Sequence, residues 1–252
     1  MSKSKLIVGN WKMNAGLQMN ASLVAALRAG LREFKSVCSL ALCVPAPYLA
    51  QLQTLCADSP LELGAQDVSE HASGAYTGEV AASMLREFGV RYCLVGHSER
   101  RHYHGESDAV VAQKARAALA AGITPIVCVG ETLQEHESGQ TDAVVRRQLA
   151  AVIQVNGHCI SEIVVAYEPV WAIGTGKTAS PQQAQQVHAV LRAQIKAATA
   201  NAQRVKILYG GSMNATNAAA LLGQTDIDGG LVGGASLKAA DFLAIVAAGS
   251  QC

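Results

Sequence analysis

Ile163-Val164-Val165-Ala166-Tyr167-Glu168-Pro169 is the stretch that decides how this chain is read. Five hydrophobic residues run without polar alternation straight into a carboxylate. A strand with one wet face would alternate, so this one is expected to be buried on both faces, as in a parallel sheet. An ionised carboxylate at the end of such a strand is costly unless it is paired or used. Pro169 then stops the strand, since it has no amide hydrogen to donate to a ladder.

Seven other runs have the same character: Lys5–Asn10, Ser39–Val44, Leu61–Ala65, Tyr92–Gly96, Thr124–Gly130, Lys206–Gly210 and Ile227–Gly233. With Ile163–Glu168 they are eight strand candidates. The stretches between them read as helices. Leu23, Leu27, Leu31 and Phe34 recur at helical spacing, as do Val187, Leu191 and Ile195. Ser180-Pro181 offers a cap and a first-turn proline, and Ser107-Asp108 offers another cap, with Gly122 as the stop. Asn214 and Ser236 are further candidate caps, and Gly89 and Gly223 further stops. Alternating strand and helix predicts an α/β fold with a parallel sheet and right-handed crossovers. Composition leaves open whether eight units close into a barrel or lie as an open doubly wound sheet. No Pro/Gly/Ser-rich linker divides residues 1–252, which predicts a single domain.

The placement of polar residues adds what composition does not. Asn10-Trp11-Lys12 follows the first run, His97-Ser98-Glu99-Arg100-Arg101 the fourth, Glu168-Pro169 the sixth, Gly210-Gly211-Ser212 the seventh and Gly233-Gly234 the eighth. A closed barrel gathers these ends around one mouth, and an open sheet scatters them. A lysine, an imidazole and a carboxylate from three strand ends (Lys12, His97, Glu168) form a plausible proton-transfer set. Gly174, Gly210, Gly211, Gly233 and Gly234 can turn bare backbone N–H groups onto an anion, and barrels often seat phosphate after strands seven and eight. Ala235-Ser236 is expected to open a helix there.

Other classes are disfavoured. Of the 252 residues, 50% are hydrophobic but only 4% aromatic, so the core must be aliphatic. The formal charge of +1 with no basic block argues against nucleic acid. No apolar stretch reaches the roughly 18 residues of a membrane span, and the apolar run after Met1-Ser2-Lys3-Ser4-Lys5 is too short for a secretory leader. A cytoplasmic location is expected. Seven cysteines, at 38, 43, 56, 93, 128, 159 and 252, make an odd number without a Cys-x-x-Cys pair, which predicts free thiols. His97, His102 and His104 lack a metal-ligand spacing, so no metal is expected. Gly176-Lys177-Thr178 looks like the end of a nucleotide-binding loop, but Trp171 stands where that motif needs its first glycine.

Asn10-Trp11-Lys12-Met13-Asn14, Gly96-His97-Ser98-Glu99-Arg100-Arg101, Ala166 to Lys177, Tyr209-Gly210-Gly211-Ser212 and Gly229 to Leu237 together resemble the triosephosphate isomerase family, in the right order from first strand to last helix. Met213 departs from the valine that the family pattern leads one to expect. The resemblance implies a (β/α)8 TIM barrel and interconversion of dihydroxyacetone phosphate and glyceraldehyde 3-phosphate, in glycolysis and gluconeogenesis, without a cofactor. It implies Glu168 as the base, a neutral His97 polarising the carbonyl, and Lys12 with Asn10 stabilising the enediolate and phosphate. Glu99 is expected to orient the site. Trp11, Lys12, Gly174, Ser212, Gly233 and Gly234 are expected around the substrate and its phosphate. The resemblance also implies a homodimer through the loop Gln66 to Val80, and a lid over Pro169 to Ala179. A phosphate-binding barrel with other chemistry, or an inactive barrel, would not need Lys12, His97 and Glu168 together.

Overall fold

A computed structural model describes residues 4–34, 38–174 and 178–251. Eight strands alternate with helices and close into a parallel barrel in sequence order. The strands are β1 (Leu6–Asn10), β2 (Ser39–Val44), β3 (Leu61–Ala65), β4 (Tyr92–Val95), β5 (Thr124–Val129), β6 (Val164–Tyr167), β7 (Lys206–Tyr209) and β8 (Gly229–Val232). The helices are α1 (Leu17–Leu31), α2 (Leu49–Cys56), α3 (Ala82–Glu87), α4 (Ser98–His104), α5 (Asp108–Ala120), α6 (Leu133–Glu137), α7 (Thr141–Asn156), α8 (Pro181–Ala198), α9 (Ala218–Leu222) and α10 (Ala239–Gln251).

The unbroken hydrophobic runs are explained by two packed layers. Inside the barrel sit Leu6, Val8, Ala41, Cys43, Leu94, Ile126, Cys128, Val164, Ala166, Leu208 and Leu231. Their strand neighbours, such as Ile7, Leu42, Val127, Val165 and Ile207, point outward under the helices. Successive residues face opposite sides of a strand, and here both sides are dry. Leu23, Leu27 and Leu31 of α1 and Val187, Leu191 and Ile195 of α8 supply the helical half of the outer layer. The ring closes where β1 pairs with β8, Leu6 opposite Gly229. Lys5 Nζ stitches that seam by donating to the Ile227 carbonyl at 2.6 Å, across 222 positions of sequence.

Most predicted helix punctuation holds. Ser180 closes a reciprocal capping box with Gln183, with Pro181 in the first turn, and Ser107 caps α5. Two expectations need correction. Asn214 accepts from the amides of Thr216 and Asn217, capping a turn, and α9 starts only at Ala218. Ser236 caps nothing: it lies buried inside a one-turn 3-10 helix, Gly234–Leu237, and its hydroxyl donates back to the Gly233 carbonyl. The long helix begins at Ala239. Six cysteines, 38, 43, 56, 93, 128 and 159, are free thiols, all but Cys159 buried; Cys252 lies outside the described residues. Burial pushes the thiols of Cys93 and Cys128 well up. No described helix is long and apolar enough to cross a membrane.

Candidate active site

Parallel pairing gives every strand the same direction, so all eight carboxyl ends share one rim. The sequence runs overshoot the ladders there: pairing stops at Val95, Val129, Tyr167, Tyr209 and Val232. The residues just beyond leave the sheet to build the site.

Glu168 follows β6 and is only 2% exposed. Its amide still donates to the Val129 carbonyl at 2.7 Å, fixing the backbone under the carboxylate. One carboxylate oxygen, Oε2, accepts from the Ser98 amide at 2.9 Å. The other, Oε1, lies 3.1 Å from His97 Nε2. Gly210 lets this happen, since a Cβ there would come within 2.9 Å of Glu168 Cγ.

His97 is the N-cap of α4, and its Nδ1 accepts from the Glu99 amide at 3.2 Å. A nitrogen that accepts carries no proton, so the proton sits on Nε2, the atom that faces the site.

Lys12 follows β1 with φ +51°, a left-handed backbone that a side-chain-bearing residue seldom adopts. Two contacts hold it there. The Lys12 amide donates to Asn10 Oδ1 at 3.0 Å, and Gln66 Nε2 donates to the Lys12 carbonyl at 2.9 Å. Its Nζ reaches Glu99 Oε1 at 2.5 Å. Glu99 therefore contacts both the cation, by its side chain, and the imidazole, by its amide.

These groups share a cavity of about 420 Å³. It is bordered by Asn10, Lys12, His97 and Glu168 and by Gly174, Ser212, Gly233 and Gly234, and a Cβ at Gly233 would lie 3.7 Å from Lys12 Cε. The 3-10 turn Gly234–Leu237 begins at this cavity. Glycine-rich backbone and a lysine on one cavity are the kind of donors that suit a compact anion. No group of three or more metal-ligating side chains occurs among the described residues.

The structure thus brings Asn10, Lys12, His97, Glu168, Gly174, Ser212, Gly233 and Gly234 together around one space, with Glu99 alongside. Trp11 differs: its ring is wholly buried, and its indole nitrogen has no partner among the described residues. It packs in the outer core and also borders the cavity. Thr175, Gly176 and Lys177, central to the expected lid, lie outside the described residues.

Several contributors were not singled out from sequence. Gln66 also donates to the Cys43 carbonyl at 3.1 Å, tying β2 to the Lys12 turn. Glu131 is fully buried and accepts from the Trp171 indole at 2.7 Å and the Tyr167 hydroxyl at 3.1 Å, bracing both flanks of Glu168. Burial, then the Glu131 charge, pushes the Tyr167 hydroxyl far up, so it stays a donor. Gln66 and Glu131 stand just past β3 and β5, so the rule that found Lys12 and His97 would have found them too. Behind α4, Arg100 and Lys114 pair with Asp67 and Glu106. Burial raises both carboxyls. At Asp67 it prevails over Lys114, whereas at Glu106 hydrogen bonds from Lys114 and Arg100 outweigh it and hold the group low.

The family model described as triosephosphate isomerase matches residues 5–249. A protein of Paracidovorax citrulli named triosephosphate isomerase is 70% identical over 250 residues, covering 98% of this chain and 99% of its own. One of Delftia acidovorans with the same name is 70% identical over 246 residues, 98% of this chain and 99% of that one. One of Bordetella pertussis, also so named, is 56% identical over 247 residues, 98% of each.

Proposed function

The chain belongs to the triosephosphate isomerase family and interconverts dihydroxyacetone phosphate and D-glyceraldehyde 3-phosphate in glycolysis; from that premise we propose how its residues divide the work. Glu168 takes a proton from the carbon beside the carbonyl and returns it to the neighbouring carbon. The intermediate is an enediolate, and one carbon is oxidised as its neighbour is reduced within the same molecule, so the reaction needs no external redox partner. His97 donates from Nε2 to the carbonyl oxygen, and a neutral donor serves here because it can also take a proton back from the adjacent hydroxyl. Lys12 balances the charge that develops on oxygen and the standing charge of the phosphate. Asn10 fixes the Lys12 turn, and Glu99 positions both Lys12 and His97. Amides at Gly174, Ser212, Gly233 and Gly234 take the phosphate.

The observation that carries this division is the convergence of Glu168 Oε1 and His97 Nε2 at 3.1 Å with Lys12 bordering the same cavity. A coupled assay on glyceraldehyde 3-phosphate tests it. Full isomerase activity in a folded protein lacking the Glu168 carboxylate would remove the assignment.

The proposed working form is a homodimer. Beside the active site lies a cavity of about 830 Å³ bordered by Met13, Gln66, Glu79, Glu99 and Tyr103. Met13 is 96% exposed, Tyr103 74% and Tyr76 46%, an apolar surface of the kind that partners cover. The loop 66–80 of a second copy is proposed to fill it, next to Lys12 and His97. Free cysteines are consistent with the reducing cytoplasm, where the enzyme is proposed to work.

A further inference from the structure

We propose that His71 is a positioning residue for association: its ring, stacked on Tyr76, holds the tip of the loop 66–80 in the shape that enters the partner. The proposal rests on the homodimer put forward above.

The loop is closed at its base, where the Ser69 amide donates to the Val80 carbonyl at 2.8 Å. Beyond that clamp, residues 72–79 are all exposed, so the tip has no core to pack on. Eight exposed residues would ordinarily sample many conformations, and ordering them on binding would cost affinity. Local contacts within the tip oppose this. The His71 and Tyr76 rings lie 3.8 Å apart and 7° from parallel. The His71 amide donates to Ser69 Oγ at 3.3 Å, which fixes the backbone that carries the ring. On the other side, the Tyr76 amide donates to the Gly74 carbonyl at 2.9 Å, and the Glu79 amide donates to the Tyr76 carbonyl at 3.0 Å. Gly74 makes the turn at φ +123°, and a Cβ there would sit 3.3 Å from the edge of the Tyr76 ring.

The stack is the only ring contact of this tip among the described residues, and it joins the two legs of the loop. It makes the docking shape present before the partner arrives. An apparent dissociation constant scales inversely with the fraction of molecules already in the competent shape. One stack of this kind is worth about a three- to tenfold bias. A dimer uses two loops, so loss of both rings weakens association about 10- to 100-fold.

The test is sedimentation velocity across a dilution series for the wild type and for His71→Ala, His71→Gln and His71→Phe. The expected result is a dissociation constant raised about 10- to 100-fold in the Ala and Gln variants and restored to within about threefold in the Phe variant. An unchanged constant in either Ala or Gln overturns the proposal. Equal weakening in all three also overturns it, because the ring would then be irrelevant. The Gln variant keeps the question open to measurement if Ala fails to fold. A wild type that is monomeric and fully active throughout overturns the dimer itself, and this proposal with it. That outcome is distinct from a wild-type dimer indifferent to residue 71.

Discussion

Glu168 Oε1 and His97 Nε2 lie 3.1 Å apart, so the proposed base and the proposed carbonyl donor are in contact with each other. Both point at one spot. A carbonyl group placed there competes for His97 Nε2 and leaves Glu168 free to face the adjacent C–H. Glu168 must also give up the Ser98 amide, which holds its other oxygen at 2.9 Å. In this structure the proposed base therefore rests against the Ser98 amide on one oxygen and against His97 on the other.

Shortening that base by one methylene tests its reach. Glu168→Asp keeps the charge but retracts the carboxylate. Turnover should fall about 10²- to 10⁴-fold, with the Michaelis constant changing little. Steady-state kinetics in both directions, with circular dichroism as the folding control, gives the answer. Unchanged turnover would take Glu168 out of the chemistry.

Moving the base without touching it is a subtler test. Gly210→Ala places a methyl 2.9 Å from Glu168 Cγ and 3.1 Å from the Tyr167 carbonyl. Either neighbour must give by a few tenths of an ångström, and misplacement of 1 Å can cost about 10²-fold. The expected outcome is a folded enzyme with turnover about tenfold lower and phosphate affinity preserved. An equal loss in inorganic phosphate binding would mean that the substitution distorts the whole rim.

Lys12 should matter to both binding and rate. Lys12→Met removes a cation proposed to contact the phosphate in the ground state and the developing oxyanion later. The Michaelis constant should rise and turnover fall about 10²- to 10³-fold. If kinetics are normal and only the melting temperature moves, Lys12 is a structural partner of Glu99.

Stability should depend on pH through His188. Its ring is fully buried: Nδ1 lies 3.2 Å from the Asp226 carbonyl, and Nε2 has no partner among the described residues. Burial pulls its pKa down to about 4, reinforced by Arg192 and opposed by the Asp226 carbonyl. The unfolded chain binds this proton near pH 6.5 and the folded one only near 4. The unfolded state is therefore favoured increasingly as pH falls through that window, by roughly 3 kcal/mol at its lower end. Denaturant melts at pH 7.5 and 5 should show the loss, and His188→Gln should flatten it. An equal slope in that variant would assign the pH dependence to other groups.

Much of this was legible before any coordinates. The eight strands could be found because both faces are dry, and Ile163 to Tyr167 reads that way without reference to any partner. Their number and order gave an α/β sheet, but ring closure depends on β1 meeting β8, a contact no local pattern encodes. Lys12, His97 and Glu168 stood out because polar side chains at apolar strand ends demand a reason. Trp11, expected beside the substrate from its place between Asn10 and Lys12, has its ring buried in the core and also borders the cavity. Ser236 looked like a cap, but its hydroxyl turns back to Gly233 within a single turn. The Ser98 contact to Glu168 is made by a backbone amide, and amides have no signature in a sequence.

The seam between β1 and β8 also sets a schedule for the cell. Lys5 and Ile227, which stitch it, are 222 positions apart. At roughly 5–20 residues per second, the ribosome makes the first strand roughly 10–45 s before its partner exists. During that interval Leu6, Ile7 and Val8 have β2 on one side and an open edge on the other. The growing chain is a sticky arc that becomes a closed ring only once β8 has been made, so translation of the eighth strand decides when the first strand is safe from other chains.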